Sequence, residues 1–243
     1  GWRAVRVCLD RPDLFRPQLK AILRASAFGD VGLMVPMVNN VEEVREVKRL
    51  LAEAAEELSS QGIRVGTPRF GLLIETPAAA LDAETLAREA DFFSIGTNDL
   101  VQYTLAVDRT SARLAHLYNP FHPAVVRQIR RVARVGKAAE IDVSVCGELA
   151  ADPLGAFLLL GLGIRTLSVA WPAVPELEEL VARMEMAKAK DSARKALAAG
   201  SSADILKILA EGLDPALDGG AFQGRWRQER PRESEVPNEH KGE

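Results

Sequence analysis

Five short segments of this chain are apolar almost throughout and then stop at polar residues, and helical periodicity fills the gaps between them. They lie in Asp30 to Val38 (which contains Val-Gly-Leu-Met-Val-Pro-Met-Val), Phe70 to Ile74, Phe92 to Ile95, Val143 to Val145 and Thr166 to Ala170. A strand without polar alternation is buried on both faces, the condition of a parallel strand covered by helices. Alternation of such strands with helices predicts βα units in a single parallel sheet.

The helical stretches carry their own punctuation. Asn40 with Glu43 three residues on forms a capping-box pattern, and Val44, Val47, Leu51, Ala55 and Leu58 then repeat at helical spacing until Gly62. Pro77 suits the first turn of a helix, and Pro123 opens a basic amphipathic helix through Val126, Ile129, Val132 and Ala133, with His122 as its cap. Asp152-Pro153 caps a further helix, and Pro175 to Met186 reads as helical. Beyond Leu213 the composition turns to Arg, Glu, Pro and Gly. Residues 214–243 are therefore expected to form a disordered tail after a domain spanning 1–213.

Polar residues gather just after the strands: Asn39 and Asn40, Glu75, Asn98 and Asp99, Cys146 and Glu148. That is the functional rim of an α/β fold of the (β/α)8 TIM-barrel type, or the matching edge of an open sheet. Five strands are counted where a barrel needs eight, and Val5 to Leu9 is a possible sixth. The expectation is an incomplete barrel with exposed sheet edges, which invite pairing with another chain. The chain opens Gly1-Trp2-Arg3 rather than with Met, as a processed chain or a fragment would.

Bulk properties narrow the partners. A net charge of −3 over 243 residues speaks against nucleic acid or an anionic membrane. No signal peptide and no apolar run near the ~20 residues of a membrane span are visible. The two cysteines, Cys8 and Cys146, lie far apart, which suits a reducing, cytoplasmic compartment better than secretion.

The stretch Asp91-Phe-Phe-Ser-Ile-Gly-Thr-Asn-Asp-Leu-Val-Gln-Tyr-Thr-Leu-Ala-Val-Asp-Arg109 carries most of the chemistry. A strand delivers an amide and a carboxylate at its carboxyl end, and an arginine follows ten residues after Asp99. Parallel α/β proteins build sites for anionic substrates in this way. With Gly1-Trp-Arg-Ala-Val-Arg6, Ile74-Glu-Thr-Pro-Ala-Ala-Ala80, Leu105-Ala-Val-Asp-Arg109 and Cys146-Gly-Glu-Leu-Ala150, the chain from residue 1 to roughly 210 resembles the carboxyl-terminal, phosphoenolpyruvate-binding domain of Enzyme I of the bacterial sugar phosphotransferase system.

The resemblance implies a reaction in which phosphoenolpyruvate gives its phosphoryl group to an enzyme histidine, and the enolate of pyruvate is then protonated at carbon. Such chemistry needs a divalent metal, cationic clamps and an acid. By resemblance, Glu75 and Asp99 are the Mg²⁺ ligands, Arg3 and Arg109 bind phosphate, and Asn98 and Asp99 belong to the substrate site. Cys146 is the proton donor to the enolate, a role its ordinary pKa of about 8.5 suits. Cys8 and Arg6 are read as structural and surface residues. His116, His122 and His240 lack the sequence context of the family's phospho-accepting histidine, and a further arginine strand of the family has no match here. The resemblance thus implies a domain that is inactive alone, works with the phosphocarrier protein HPr through a separate domain, and belongs to a homodimer. Pyruvate phosphate dikinase, phosphoenolpyruvate synthase and a non-catalytic regulatory barrel are the alternatives. The Cys-Gly-Glu-Leu-Ala and Leu-Ala-Val-Asp-Arg wording favours Enzyme I, and retention of the whole residue set speaks against a regulatory domain.

Overall fold

A computed structural model describes residues 1–213. In chain order, the elements begin with helices α1 (Val5–Asp10) and α2 (Pro12–Ser26), strand β1 (Gly32–Val35), helix α3 (Val41–Ser60), strand β2 (Arg69–Ile74), and helices α4 (Pro77–Leu81) and α5 (Ala83–Leu86). Strand β3 (Phe92–Gly96) runs directly into α6 (Thr97–Leu105), then α7 (Pro123–Ala139), strand β4 (Asp142–Cys146), α8 (Glu148–Ala151) and α9 (Pro153–Leu162) follow. Strand β5 (Thr166–Ser168) precedes α10 (Val174–Arg183), α11 (Met186–Ala198) and α12 (Ser202–Gly212).

The strands form one sheet in the order β1-β2-β3-β4-β5, and the β1–β2, β2–β3 and β3–β4 pairs are parallel. The α/β class read from the apolar runs is therefore the class observed. Leu72, Ile74, Phe93, Ile95 and Val145 are fully buried, and the register sets them all on one face of the sheet. On the other face Leu73, Phe92 and Ser144 are only half-buried and Met34 is exposed, so burial is complete on one face and not, as expected, on both. The register sets Ile74 against Ile95 and Gly96 against Cys146, so the strands end level with one another. Gly71 stands opposite Phe92, and a Cβ at Gly71 would meet the Phe92 ring at 2.2 Å.

The chain divides into two compact units. The first comprises Gly1–Gly96, Gln128–Cys146 and Ile164–Thr166, and the second Thr97–Arg127, Gly147–Gly163 and the chain from Leu167 onward. In the first, α1 and α2 pack on each other and on α3, which buries Phe15, Leu19 and Leu23 against Val44, Val47 and Leu50. In the second, α9 is buried almost all round and α11 crosses it closely. A Cβ at Gly161 would lie 2.2 Å from the Ala189 carbonyl, so only glycine allows that approach. No helix among the described residues is long and apolar enough to cross a membrane.

Most helix boundaries follow their sequence signals. Asn40 Oδ1 accepts the Glu43 N–H, Asp152 Oδ1 accepts the Gly155 N–H, and His122 Nδ1 accepts the Ala124 N–H. Four expectations need correction. Val5 to Leu9 is not a strand: it lies in α1, with the Cys8 N–H donating to the Ala4 carbonyl. Five residues, apolar apart from Arg6, carry no period that separates strand from helix, and packing on α2 and α3 decides it. The buried stripe of α3 passes through Leu50 and Ala54 rather than Leu51 and Ala55, one position off the expected face. The fifth strand is shorter than expected, ending at Ser168 instead of Ala170. The helix read as Pro175 to Met186 ends at Arg183, because Met184 is extended (ψ 148°) and a separate helix starts at Met186. Residues 214–243, read as a tail, lie outside the described residues.

Candidate functional site

The first unit places Arg3, Glu75 and Cys146. Glu75 follows the last residue of β2 and is only 5% exposed, so a carboxylate stands in the core at the strand's end. Its Oε1 accepts the Met37 N–H at 2.8 Å. Gly96 makes room for the other oxygen, since a Cβ there would lie 2.7 Å from Glu75 Oε2. Capping of the next helix falls to Thr76, whose Oγ1 accepts the Ala79 N–H and donates to the Val38 carbonyl. Glu75 is thus not the helix cap that its position before Pro77 would allow.

Cys146 is the last residue of β4. Ser94 Oγ donates to its Sγ at 3.7 Å, and Sγ donates to the Ile95 carbonyl at 3.6 Å. Burial pushes the Cys146 thiol above the ordinary cysteine range. The Ser94 hydrogen bond pulls it back, and the Glu75 carboxylate pushes it up again. The structure therefore couples Cys146 and Glu75 electrostatically. Arg3 is exposed, and its Nη2 donates to Met37 Sδ at 3.7 Å. Arg6 donates to the Gly1 carbonyl at the surface, and Cys8 is half-buried with its thiol also raised by burial.

The second unit places Asn98, Asp99 and Arg109. Because β3 enters α6 without a loop, Asn98 and Asp99 fall in the first turn of that helix, where exposed N–H groups favour anionic charge. Asn98 Oδ1 accepts the Glu148 N–H at 3.0 Å, which leaves Nδ2 as the donor end of the amide. Gly147, at φ 105°, lets the chain pass this close: a Cβ would meet Thr97 Oγ1 at 2.4 Å and Asn98 Oδ1 at 2.9 Å. Tyr118 Oη donates to the Asn98 carbonyl at 3.3 Å. Burial, with the Glu148 and Asp99 charges outweighing that of Arg109, pushes its phenol up to about 12. Arg109 is exposed and its backbone N–H donates to Gln102 Oε1, while Asp108 accepts from Thr110.

Sequence reasoning had not singled out Met37, Ser94 or Tyr118. Ser94 left one visible signal, a lone hydroxyl in the apolar run Phe-Phe-Ser-Ile. Met37 left none, because a positive φ at methionine has no sequence signature.

Each unit supplies one hard oxygen donor of the kind a divalent cation takes, Glu75 in the first and Asp99 in the second. Among the described residues, no group of three or more His, Cys, Asp or Glu side chains could hold a metal ion. Mg²⁺ is bound typically through one or two carboxylates, with water and substrate oxygens completing its shell.

Residues 1–186 match the PEP-utilising enzyme, PEP-binding domain family. The phosphoenolpyruvate-protein phosphotransferase of Haemophilus influenzae is 44% identical over 214 residues, covering 88% of this chain and 37% of that protein. The Staphylococcus carnosus protein of the same name is 39% identical over 212 residues, covering 87% of this chain and 37% of its own. This chain thus spans a little over a third of the length of these curated relatives. A citrate lyase from Burkholderia xenovorans shares the fold, with a TM-score of 0.51 and 19% identity over 81% of this chain and 68% of that one.

Proposed function

The chain belongs to the PEP-binding domain family of PEP-utilising enzymes, and from that premise we propose that it is the phosphoenolpyruvate-binding, enolate-protonating domain of a phosphoenolpyruvate-protein phosphotransferase. The observation that carries this reading is the Cys146 thiol. It stands at the end of β4, near the charge of Glu75, with its pKa raised by burial. A thiol so placed stays protonated at neutral pH, as a general acid toward carbon must. The names of the two phosphotransferase relatives support this reading over a dikinase or a synthase.

In the proposed reaction the bond between phosphorus and the enol oxygen of phosphoenolpyruvate breaks. The phosphoryl group passes to a histidine nitrogen outside this domain and on to HPr. The enolate left behind takes a proton at its terminal carbon from Cys146 Sγ, giving pyruvate, and water returns a proton to the thiolate. Arg3 and Arg109 clamp the anionic groups through paired guanidinium donors, and Asn98 Nδ2 donates to a substrate oxygen. Glu75 and Asp99 are the proposed ligands of Mg²⁺, which when bound supplies charge neutralisation at the phosphoryl and enolate oxygens. A cytoplasmic homodimer is the assembly proposed with it.

Replacing the acid tests the reading. In the full-length protein, Cys146→Ala is expected to slow pyruvate formation by roughly 100-fold or more, while binding of Mn²⁺ with phosphoenolpyruvate is kept. Unchanged turnover would remove Cys146 from the mechanism.

A further inference from the structure

We infer that Met37 is a positioning residue of this site, its left-handed backbone fixing the Glu75 carboxylate and its thioether receiving the Arg3 guanidinium. The inference rests on the reading of Glu75 as a metal ligand and Arg3 as a phosphate clamp, and all three residues lie in the first unit.

Met37 has φ 59° although it is not glycine and is 2% exposed. A methionine there stores backbone strain that a glycine would not, and a buried strained residue persists only when its surroundings hold it. What the turn achieves is visible in its partners. The chain leaves the β1 ladder after Val35, and the Met37 N–H donates to Glu75 Oε1 at 2.8 Å instead of to a strand. Space at Gly96 accommodates Oε2, so the two carboxylate oxygens are treated differently: one is held by an N–H and the other lies where a side chain is missing. The side chain of the same residue carries the second function. Its Sδ lies 3.7 Å from Arg3 Nη2, and a thioether is a weak, polarisable acceptor on an unbranched chain. Leucine would fill that space without accepting, and a β-branched residue would resist the left-handed turn.

Two measurements on the full chain test this. The chain has four methionines, so selective ¹⁵N-methionine labelling resolves four backbone amides. Glu75→Gln is expected to move the Met37 amide resonance far more than those of Met184 and Met186. An unmoved Met37 resonance overturns the inference whatever the site binds. The second measurement is Mn²⁺ affinity without substrate. Met37→Leu and Met37→Gly both keep the N–H in a turn they can adopt, and are expected within about threefold of the parent, while Met37→Val loses about tenfold or more. A residue that only fills space predicts the opposite order for the last two, with affinity following volume so that glycine is worst. That order overturns the inference, and the glycine variant alone decides it if Met37→Val does not fold. A parent protein that binds no Mn²⁺ overturns the metal reading of Glu75 instead, and the amide resonance then decides Met37 by itself.

Discussion

The polar groups at the strand ends of the first unit and those of the helix-and-loop segment of the second are held by different means. Glu75 is held by a backbone N–H and Cys146 by a backbone carbonyl and a buried serine, in positions the sheet register dictates. Asn98 accepts the Glu148 N–H on its side chain and the Tyr118 hydroxyl on its carbonyl, and Arg109 stands exposed on a chain steadied by Gln102. The strand-end groups have little freedom to lose, because parallel pairing already fixed their Cα positions. The second set depends on replaceable side-chain hydrogen bonds of about 1 kcal/mol each. A substitution that removes space should therefore damage the first set most, and one that removes a donor should damage the second.

The two glycines that border these sets give the largest contrast. Gly96→Ala places a methyl group 2.7 Å from Glu75 Oε2 and 2.9 Å from Glu75 Cβ, and the carboxylate must swing away. Turnover is expected to fall roughly 100-fold, the scale of an ångström-sized misplacement, together with Mn²⁺ affinity. Gly147→Ala adds a positive-φ penalty to its clash with Thr97 and Asn98. About 1–3 kcal/mol of stability should go with it, read as a lower urea midpoint. If Gly96→Ala leaves Mn²⁺ binding intact, the strand-end carboxylate is not the metal ligand and the contrast between the two sets collapses.

Asn98→Asp sharpens the same contrast at a smaller scale. The new carboxylate still accepts the Glu148 N–H, so thermal stability should stay level. What disappears is the Nδ2 donor, replaced by charge facing an anionic substrate. A hydrogen bond to a charged group is worth about 1.5–3 kcal/mol, so KM for phosphoenolpyruvate should rise by one to two orders of magnitude while kcat changes less. Equal losses in kcat and in melting temperature would mean that Asn98 serves only to hold the turn at Gly147.

The difference between the two sets also explains what could be read from the chain alone. Strand ends were legible because uninterrupted apolar runs have few alternatives, and Glu75, Gly96 and Cys146 each fall where such a run stops. The α1 segment reads ambiguously because Val5 to Leu9, apolar apart from Arg6, is too short to show a period, and only Val5 is buried. Helices α11 and α12 left no strong signal, since alanine-rich stretches such as Met186–Ala198 bury small residues rather than a marked apolar stripe. In the sequence, the roles proposed for Glu75, Asn98 and Cys146 rest on the family resemblance alone. The bonds that orient them, from Met37, Glu148 and Ser94, arise between residues distant in sequence and are visible only once the chain is folded.

Ser94 offers the finest test, because it changes the acid's electrostatics while the Ile95 carbonyl still holds the thiol. Its hydroxyl donates to Cys146 Sγ and so favours the thiolate, partly offsetting burial and the Glu75 charge, which favour the thiol. A step that needs the protonated thiol proceeds below the Cys146 pKa and is lost as pH rises through it. Ser94→Ala removes a side-chain contact that lowers this pKa, so the alkaline limb of kcat should move to higher pH. On the plateau below that limb the rate should stay within roughly fivefold, since a neutral hydrogen bond is worth about 1 kcal/mol. Both profiles are to be measured at the same saturating metal concentration, so that any effect of the cation on the thiol is common to both. A limb that moves downward would show that Ser94 acts as an acceptor from the thiol, and one that does not move would assign the limb to another group.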